Sequence, residues 1–194
     1  MAAVPLTPHP DFLRFKRTMN RLVADKRYVS WQGDVYRLAH PKYASQADFI
    51  SGAGAQINGA RWNPPFGPPT LYVASSPVLA AEETFALARK FGFAPRTLLP
   101  RVIRAIHVRA SRLVDTTDGD IRRSLMVSKQ RMLGTDWRKA NARGKEALTQ
   151  AIGRAAAETG LEGLIVASAE SSEEFNLVVF VDNLGGRSRV EVVS

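Results

Sequence analysis

A stretch crowded with glycine and proline, residues 51–69, interrupts the first half of this chain. Its glycines and prolines are Gly52, Gly54, Gly59, Pro64, Pro65, Gly67, Pro68 and Pro69. Glycine weakens helices and strands through its backbone freedom, and proline removes a backbone donor, so their density predicts a long loop without regular structure. Long loops inside compact domains are usually functional. The core must therefore be built from segments on either side of a candidate functional loop.

The segments that flank this loop carry clear secondary-structure patterns. Apolar residues on one helical face predict a helix over about residues 10–25. The sequence Val-Tyr-Arg-Leu-Ala predicts a short strand over residues 35–39. After the loop, residues 70–74 predict a second strand. Ser76 can serve as an N-cap, and Pro77 suits the first position of a helix. Together they predict a helix over about residues 77–90.

The second half of the chain alternates helices and strands without a regular repeat. Two or three helices are predicted over residues 119–159, the last of them over residues 145–159. The predicted strands cover residues 98–108, 112–114, 163–167, 176–181 and 189–193. The last three strands are close together in sequence, which fits a mixed fold better than a doubly wound parallel sheet. The sequence therefore predicts a mixed α+β fold.

Length and composition favour one folded domain without a metal centre. The 194 residues suit a single domain, and 45% hydrophobic with 23% charged residues excludes intrinsic disorder as the main state. The chain has no cysteine, which excludes disulfides, Fe–S clusters, thiolate zinc sites and a cysteine nucleophile. Because His9, His40 and His107 are widely scattered, we expect no metal.

The formal net charge of +9 comes from 27 Lys and Arg against 18 Asp and Glu. Most of the surplus lies in residues 11–27 and 101–145. Such an excess favours polyanions, phosphate-bearing small molecules or an acidic protein partner. No apolar run approaches the roughly 20 residues that cross a bilayer, and the first ten residues lack the pattern of a signal peptide. We therefore expect a cytoplasmic protein with no membrane partner.

The sequence contains several short motifs with polar residues but none of the familiar catalytic patterns. There is no Walker loop, no GxGxxG after a strand, no HExxH and no GxSxG. The motifs are Tyr36-Arg37, Gly59-Ala60-Arg61-Trp62-Asn63, Leu71-Tyr72-Val73-Ala74, Ala80-Ala81-Glu82-Glu83, and Gly163-Leu164-Ile165-Val166-Ala167-Ser168 with Asn176-Leu177-Val178-Val179-Phe180. In this order, over residues 35–181, they resemble the RES-domain toxins of bacterial toxin–antitoxin pairs. Ala60 and Ala167 depart from that family, which often has glycine and proline there.

The resemblance implies an ADP-ribosyltransferase-like fold with a mixed β core and surrounding helices. It also implies an enzyme that takes NAD as its substrate, needs no metal and breaks the nicotinamide–ribose bond, by hydrolysis or phosphorolysis. Residues 31–194 would form this RES-type NAD-binding domain, and residues 1–30 an N-terminal helical extension. The family's active-site residues carry over onto Arg37, Arg61, Tyr72, Glu83 and Ser168, of which Glu83, Arg61 and Tyr72 would be catalytic.

The chemistry of NAD cleavage explains why such residue types are needed. The ribose becomes oxocarbenium-like, and a carboxylate such as Glu83 stabilises that charge or holds the ribose hydroxyls. The planar forks of Arg61 and Arg37 suit the pyrophosphate. Tyr72 would hold an aromatic ring of the substrate. Ser168 can present its hydroxyl to the carboxamide or to Glu83, and it is not a nucleophile because no histidine is placed to activate it.

Structural roles alone would also account for several of these residues. Glu82 competes with Glu83 as the acid, since the match can slip by one residue. Arg37 in a strand can point to solvent, and Tyr72 in an apolar strand can belong to the core. His107, between two apolar residues, is interpreted as structural.

Two other functions remain open, together with the identity of the partner. The same cleft would suit a mono-ADP-ribosyltransferase that modifies a cellular protein, and the positive charge would suit a basic nucleic-acid-binding domain. A toxin requires a cognate antitoxin, which the charge predicts to be acidic at the contact, with residues 51–69 as its place. Residues 101–145 are either a solvated surface or a second docking face. We expect an oligomer with the antitoxin, with nucleic acid bound only through it.

Overall fold

The computed structural model describes residues 5–90 and 92–193, and its strands close into a ring. The strands are β1 (Val29–Ala39), β2 (Thr70–Ala74), β3 (Val102–Asp115), β4 (Gly163–Ala167), β5 (Phe175–Phe180) and β6 (Arg189–Val192). They follow the order β1-β2-β5-β4-β3-β6, and β3 also pairs with β1. The β3–β4 pair is parallel, whereas the other pairings between these described strands are antiparallel. The ring closes at β1 and β2 through one residue pair, Tyr36 opposite Ala74.

β3 is one continuous strand, and this corrects the prediction of two strands over residues 98–108 and 112–114. Along one edge it changes partner, from β6 near Arg109 to β4 near Leu113. At the change, the buried carboxylate of Glu162 accepts hydrogen bonds from the backbone of Ser111 at 2.6 Å and of Arg112 at 3.4 Å. The strand continues because this side chain satisfies the backbone donors that the change of partner would leave unpaired.

Helices flank the ring of strands. They are α1 (Phe12–Ala24), α2 (Gln46–Ile50), α3 (Ala53–Asn58), α4 (Pro77–Lys90), α5 (Gly119–Leu125), α6 (Lys129–Leu133), α7 (Trp137–Ala142) and α8 (Leu148–Glu158), with 3-10 turns at Pro41–Tyr43, Pro95–Leu98 and Val181–Asn183. The predicted start of α4 is confirmed, because the hydroxyl of Ser76 accepts the backbone N–H of Leu79 at 3.0 Å. Among the helices that the structure describes, none is long and apolar enough to cross a membrane.

The prediction of an irregular loop over residues 51–69 is wrong for its first part. α3 forms there because residues 53–58 contain no proline, and because Gly52 adopts a φ of 68° just before the helix. The remaining residues, 59–69, are irregular as predicted. α8 begins at Leu148 rather than at residue 145, since the side chain of Gln150 accepts the backbone N–H of Ala147 at 3.0 Å. Helices α5–α8 divide residues 119–159 more finely than predicted.

The sheet separates two apolar cores, and the prediction of a mixed α+β fold is confirmed. Successive residues of β5 point to opposite sides, as a strand requires. Val178 and Phe180 pack in the core that contains Phe15 of α1 and Ile152 of α8. Leu177 and Val179 of the same strand face the other core. The buried members of that core are Val35, Phe49, Leu71, Val73, Ile106, Val108, Ala110, Leu113, Ile165, Leu177 and Val179. This arrangement brings the end of β4 and the start of β5 beside α4.

Candidate active site

A cleft with three compartments lies beside β2, α4 and the start of β5. The inner compartment, about 90 Å³, reaches Trp62 and Val166. The outer compartment, about 320 Å³, extends to α7. The strand-side compartment, about 230 Å³, lies against β1 and β2. Tyr72 and Glu83 line all three compartments, so the three belong to one site that meets at these two side chains.

The carboxylate of Glu83 is held by two side chains from other elements. Its Oε1 accepts hydrogen bonds from the Oγ of Ser168 and from the Nδ2 of Asn176, both at 2.8 Å. Ser168 follows β4 directly and Asn176 lies in β5, so α4 is tied to both strands at this point. We call these three residues the Glu83 corner. Because both bonds fall on one oxygen, they fix the orientation of the carboxylate within the cleft.

The hydroxyl of Ser168 is committed to this corner. Besides donating to Glu83, it accepts the backbone N–H groups of Glu170 at 3.0 Å and Ser171 at 3.4 Å, and the side chain is 3% exposed. Of the two partners that the sequence left open for this hydroxyl, the structure places it on the acid. Glu83, rather than Glu82, is the acid in contact with Ser168 and Asn176.

Arg61 lies on the turn of residues 59–63, which we call the Arg61 turn. Its Nη1 donates to the backbone carbonyls of Met132, Leu133 and Thr135, at 3.3, 3.2 and 3.2 Å. These carbonyls stand at the C-terminal end of α6, where helix carbonyls lack intrahelical partners and carry partial negative charge. The side chain therefore closes α6 while it lines the inner and outer compartments.

The Arg61 turn is fastened to α8 through its backbone. The Nε2 of Gln150 donates to the carbonyls of Ala60 at 3.0 Å and Asn63 at 3.2 Å. A Cβ placed on Gly153 would lie 1.8 Å from the carbonyl oxygen of Trp62, so only glycine permits this approach. The Trp62 side chain is itself buried in the core. The turn is thus fixed in place by packing and by hydrogen bonds.

Tyr72 joins the Arg61 turn to the rest of the cleft. Its hydroxyl accepts the backbone N–H of Trp62 at 2.8 Å and donates to the Oδ1 of Asn63 at 2.8 Å. Burial raises the pKa of Tyr72, so the hydroxyl stays neutral and keeps this donor role. The hydroxyl therefore positions the turn, while the side chain forms part of the wall of the cleft.

Arg37 is one compartment away from the other predicted residues. It lines the strand-side compartment together with Tyr72 and Glu83, and its Nη1 hydrogen-bonds to the carbonyl of Phe49. Burial lowers the pKa of its guanidinium group. The structure thus brings Arg37, Arg61, Tyr72 and Glu83 to one cleft, with the two arginines in different compartments, and Ser168 contacts Glu83.

Among the cleft residues that were not predicted as site residues, Asn176, Trp137 and Arg138 are polar or aromatic side chains that bear on the proposed chemistry. Asn176 is the first residue of one of the family-like motifs and of a predicted strand, and this position was the available signal. Trp137 and Arg138 of α7 line the outer compartment, and no sequence pattern marks them. Within residues 5–90 and 92–193, no group of three or more His, Asp and Glu side chains is placed to hold a metal ion. His107 pairs with Asp34 at 2.7 Å across β1 and β3.

Similar proteins are known by sequence and by structure. Residues 34–193 match the RES domain. The NAD(+) phosphorylase MbcT of Mycobacterium tuberculosis is 27% identical over 143 residues, which cover 73% of this chain and 70% of MbcT. The MbcT of Mycobacterium bovis gives the same figures. A chain in the crystal structure of the M. tuberculosis MbcT–MbcA toxin–antitoxin complex is 23% identical, with a TM-score of 0.69 over 93% of this chain and 91% of that chain.

Proposed function

Since this chain belongs to the RES-domain family, we propose that it degrades NAD by breaking the bond between nicotinamide and ribose, as the toxin of a toxin–antitoxin pair. The observation that carries this proposal is the Glu83 corner, which fixes a carboxylate where three compartments of a cleft meet. A dinucleotide has several parts that need separate space around one reacting carbon. The name of the relative MbcT supports the same reaction.

Glu83 is the proposed catalytic residue. When the bond to nicotinamide breaks, its electron pair leaves with the nicotinamide ring and positive charge develops on the ribose. A carboxylate fixed next to that ribose is attracted more strongly to the transition state than to the substrate. Ser168 and Asn176 hold this carboxylate ready, so it loses little energy to reorganisation.

The remaining predicted residues are proposed to bind the substrate. Arg61 and Arg37 carry positive charge in different compartments that Glu83 also lines, where the phosphates of NAD can be held by charge-assisted hydrogen bonds. Tyr72 offers its ring, because its hydroxyl is already occupied by the Arg61 turn. The proposed roles of the two arginines therefore concern affinity, and that of Glu83 concerns the rate.

We propose inorganic phosphate as the acceptor, since the relative MbcT is named a phosphorylase. A phosphate oxygen would form a bond to the anomeric carbon as the bond to nicotinamide breaks. The products would be nicotinamide and ADP-ribose phosphorylated at that carbon. If water were the acceptor, the products would be nicotinamide and ADP-ribose.

The proposal also assigns a partner and a domain division. An antitoxin would neutralise the chain, and the net charge of +9 favours an acidic contact region on it, with residues 51–69 as the proposed place of contact. The match to a toxin–antitoxin complex supports such a partner. Residues 31–194 are proposed as the RES-type domain and residues 1–30 as its helical extension.

Product analysis tests the proposal directly. Purified protein is incubated with NAD, with and without phosphate, and the products are identified by mass spectrometry. Phosphorylated ADP-ribose is expected only when phosphate is present. Free ADP-ribose at the same rate in both reactions would make the enzyme a glycohydrolase, and unchanged NAD in both would refute the proposed activity.

Labelled substrate separates the remaining alternatives. With NAD labelled in its ADP-ribose part, the label is expected in solution; label on added cellular protein would favour a mono-ADP-ribosyltransferase. Salt-sensitive binding to nucleic acid without loss of NAD would favour the basic binding domain. In cells, expression of the chain alone should arrest growth and lower NAD, and co-expression of the antitoxin should reverse both.

A further inference from the structure

Two arginines, Arg61 and Arg138, line the outer compartment. Of these two, only Arg61 lies in one of the motifs shared with the RES family. Arg61 stands on the Arg61 turn, whereas Arg138 lies in the first turn of α7. We propose that Arg138 and Arg61 together form a subsite for phosphoryl oxygens, in which Arg138 sets the affinity for a phosphate-bearing reactant. This inference rests on the proposed function and adds a binding residue to it.

The backbone between α6 and α7 holds the two guanidinium groups near one another. Arg61 is bonded to the carbonyls that close α6, as described above. Asp136 then caps α7 by accepting the backbone N–H of Lys139 at 3.1 Å, and the helix begins at Trp137. The start of α7 is therefore fixed close to Arg61, and its second residue is Arg138.

Trp137 positions the guanidinium group of Arg138. The guanidinium carbon lies 4.3 Å from the centroid of the Trp137 ring, which is a cation–π distance. A guanidinium group stacked on a ring keeps the N–H groups of its edge available for hydrogen bonds to an anion. Trp137 is thus a positioning residue, because it acts through Arg138.

The outer compartment is lined by four charged side chains, two of them arginines. Partial loss of solvent lowers the pKa of Arg138, the positive charge of Arg61 lowers it further, and Asp136 acts in the opposite direction. Glu83 and Glu170 also line the compartment, and the carboxylate of Glu83 is held by Ser168 and Asn176. Arg138 is exposed and Arg61 is partly buried, and two cations held close together are stabilised by an anion bound to both.

Two reactants could supply the phosphoryl oxygens. One is NAD, through its pyrophosphate, and the other is the inorganic phosphate that would accept ADP-ribose. Both present the same chemistry to Arg61 and Arg138, namely negatively charged oxygens that match the arginine fork. Because Glu83 lines the same compartment, either reactant would lie next to the reacting ribose.

Steady-state kinetics with both reactants varied independently tests this subsite. Arg138→Gln is expected to raise the KM for NAD or for phosphate about three- to tenfold, with kcat within about twofold of the unmutated protein. Arg138→Lys should lie between the two, because it keeps the charge and loses the fork. Arg143→Gln is the matched control, since Arg143 is an exposed arginine just after α7 and lies outside the cleft. It should leave both constants unchanged.

The outcomes identify the source of the phosphate or overturn the subsite. A raised KM for NAD places the pyrophosphate at Arg138, and a raised KM for phosphate places the acceptor there. Unchanged KM values for both, or a change in kcat alone, would overturn the subsite while leaving the proposed function intact. If the unmutated protein does not consume NAD, calorimetric titration with pyrophosphate decides: binding that Arg138→Gln weakens at least threefold supports the subsite, and equal or absent binding refutes it.

Discussion

The Glu83 corner and the Arg61 turn both border the cleft, and they are built from different kinds of contact. At the Glu83 corner, side chains from α4, β5 and the residue after β4 bond to one another. At the Arg61 turn, most of the bonds join side chains to backbone groups, as Gln150 does to the carbonyls of Ala60 and Asn63. The first arrangement fixes one carboxylate oxygen, and the second fixes the path of the chain.

This difference teaches which changes affect chemistry and which affect the fold. Glu83 and Asn176 can be replaced by side chains of similar shape while the backbone around them keeps its partners, whereas the hydroxyl of Ser168 also accepts two backbone N–H groups. A change in the turn releases backbone carbonyls or N–H groups of a buried segment, which costs stability as well as binding. Substitution of Glu83 should therefore separate activity from stability, whereas substitutions at the turn should change both.

The largest effect is expected from Glu83→Gln. This change removes the negative charge that would face the oxocarbenium-like ribose and keeps nearly the same volume. Loss of one such electrostatic interaction costs about 2.7–4 kcal/mol of transition-state stabilisation, or about 10²–10³-fold in NAD turnover. Turnover and the thermal unfolding temperature are measured together, and the unfolding temperature should hardly change. Glu82→Gln is the control; loss of turnover in that variant alone would move the catalytic role to Glu82.

Gly153→Ala should displace the Arg61 turn without changing a side chain that lines the cleft. The added Cβ would lie 1.8 Å from the carbonyl oxygen of Trp62, so the turn or α8 must move. We expect a loss of about 3 kcal/mol in the free energy of unfolding, measured by urea denaturation, and lower turnover. Gly54→Ala is a matched control, because nothing lies within 4 Å of a Cβ added there. Equal stability of the two variants would show that the turn is not clamped by this contact.

Arg61→Lys should lower both stability and affinity, in keeping with the double role of this side chain. Lysine keeps the charge, but it cannot bond to three carbonyls of α6 and present a fork to phosphate at once. Affinity for NAD, titrated in the Glu83→Gln background, should fall about tenfold, or about 1.4 kcal/mol. The unfolding temperature should fall as well. An unchanged dissociation constant would refute the binding role of Arg61.

The smallest effect is expected from Ser168→Ala. It removes one of two hydrogen bonds to the carboxylate of Glu83, and Asn176 still holds the other. It also removes the acceptor of the backbone N–H groups of Glu170 and Ser171, so the unfolding temperature should fall slightly. The expected loss is about 1 kcal/mol, seen as a drop of about fivefold in kcat with little change in KM. Ser171→Ala removes a hydroxyl from the same turn without a bond to Glu83 and should keep normal kcat. A larger rise in KM than fall in kcat for Ser168→Ala would instead indicate a contact with substrate.

Elements with strong local signals were predicted well from the sequence. β2 and β4 match residues 70–74 and 163–167, because breakers bound each apolar run and both strands are buried. β1 begins at Val29, earlier than the predicted residue 35. Its first half is rich in polar residues and contains Gly33, and it becomes a strand only by pairing with β3, which is distant in sequence.

The cleft was predictable only where its residues belong to motifs. Glu83 and Ser168 are 85 residues apart in sequence, and their hydrogen bond could be expected only from the resemblance to a family. Trp137 and Arg138 belong to no motif, and α7 reaches the cleft because Arg61 closes α6 just before it. Such contacts depend on how short helices pack, which single-sequence patterns do not encode.

The single residue pair that closes the ring between β1 and β2 has a consequence for how the protein responds to a ligand. The strand-side compartment lies over this joint, with Arg37 contributed by β1 and Tyr72 by β2. The pairing between neighbouring strands is therefore weakest at a place where substrate would lie. A molecule that binds to both strands stabilises the junction between them. Resistance to heat and to proteases should therefore rise with the concentration of that molecule.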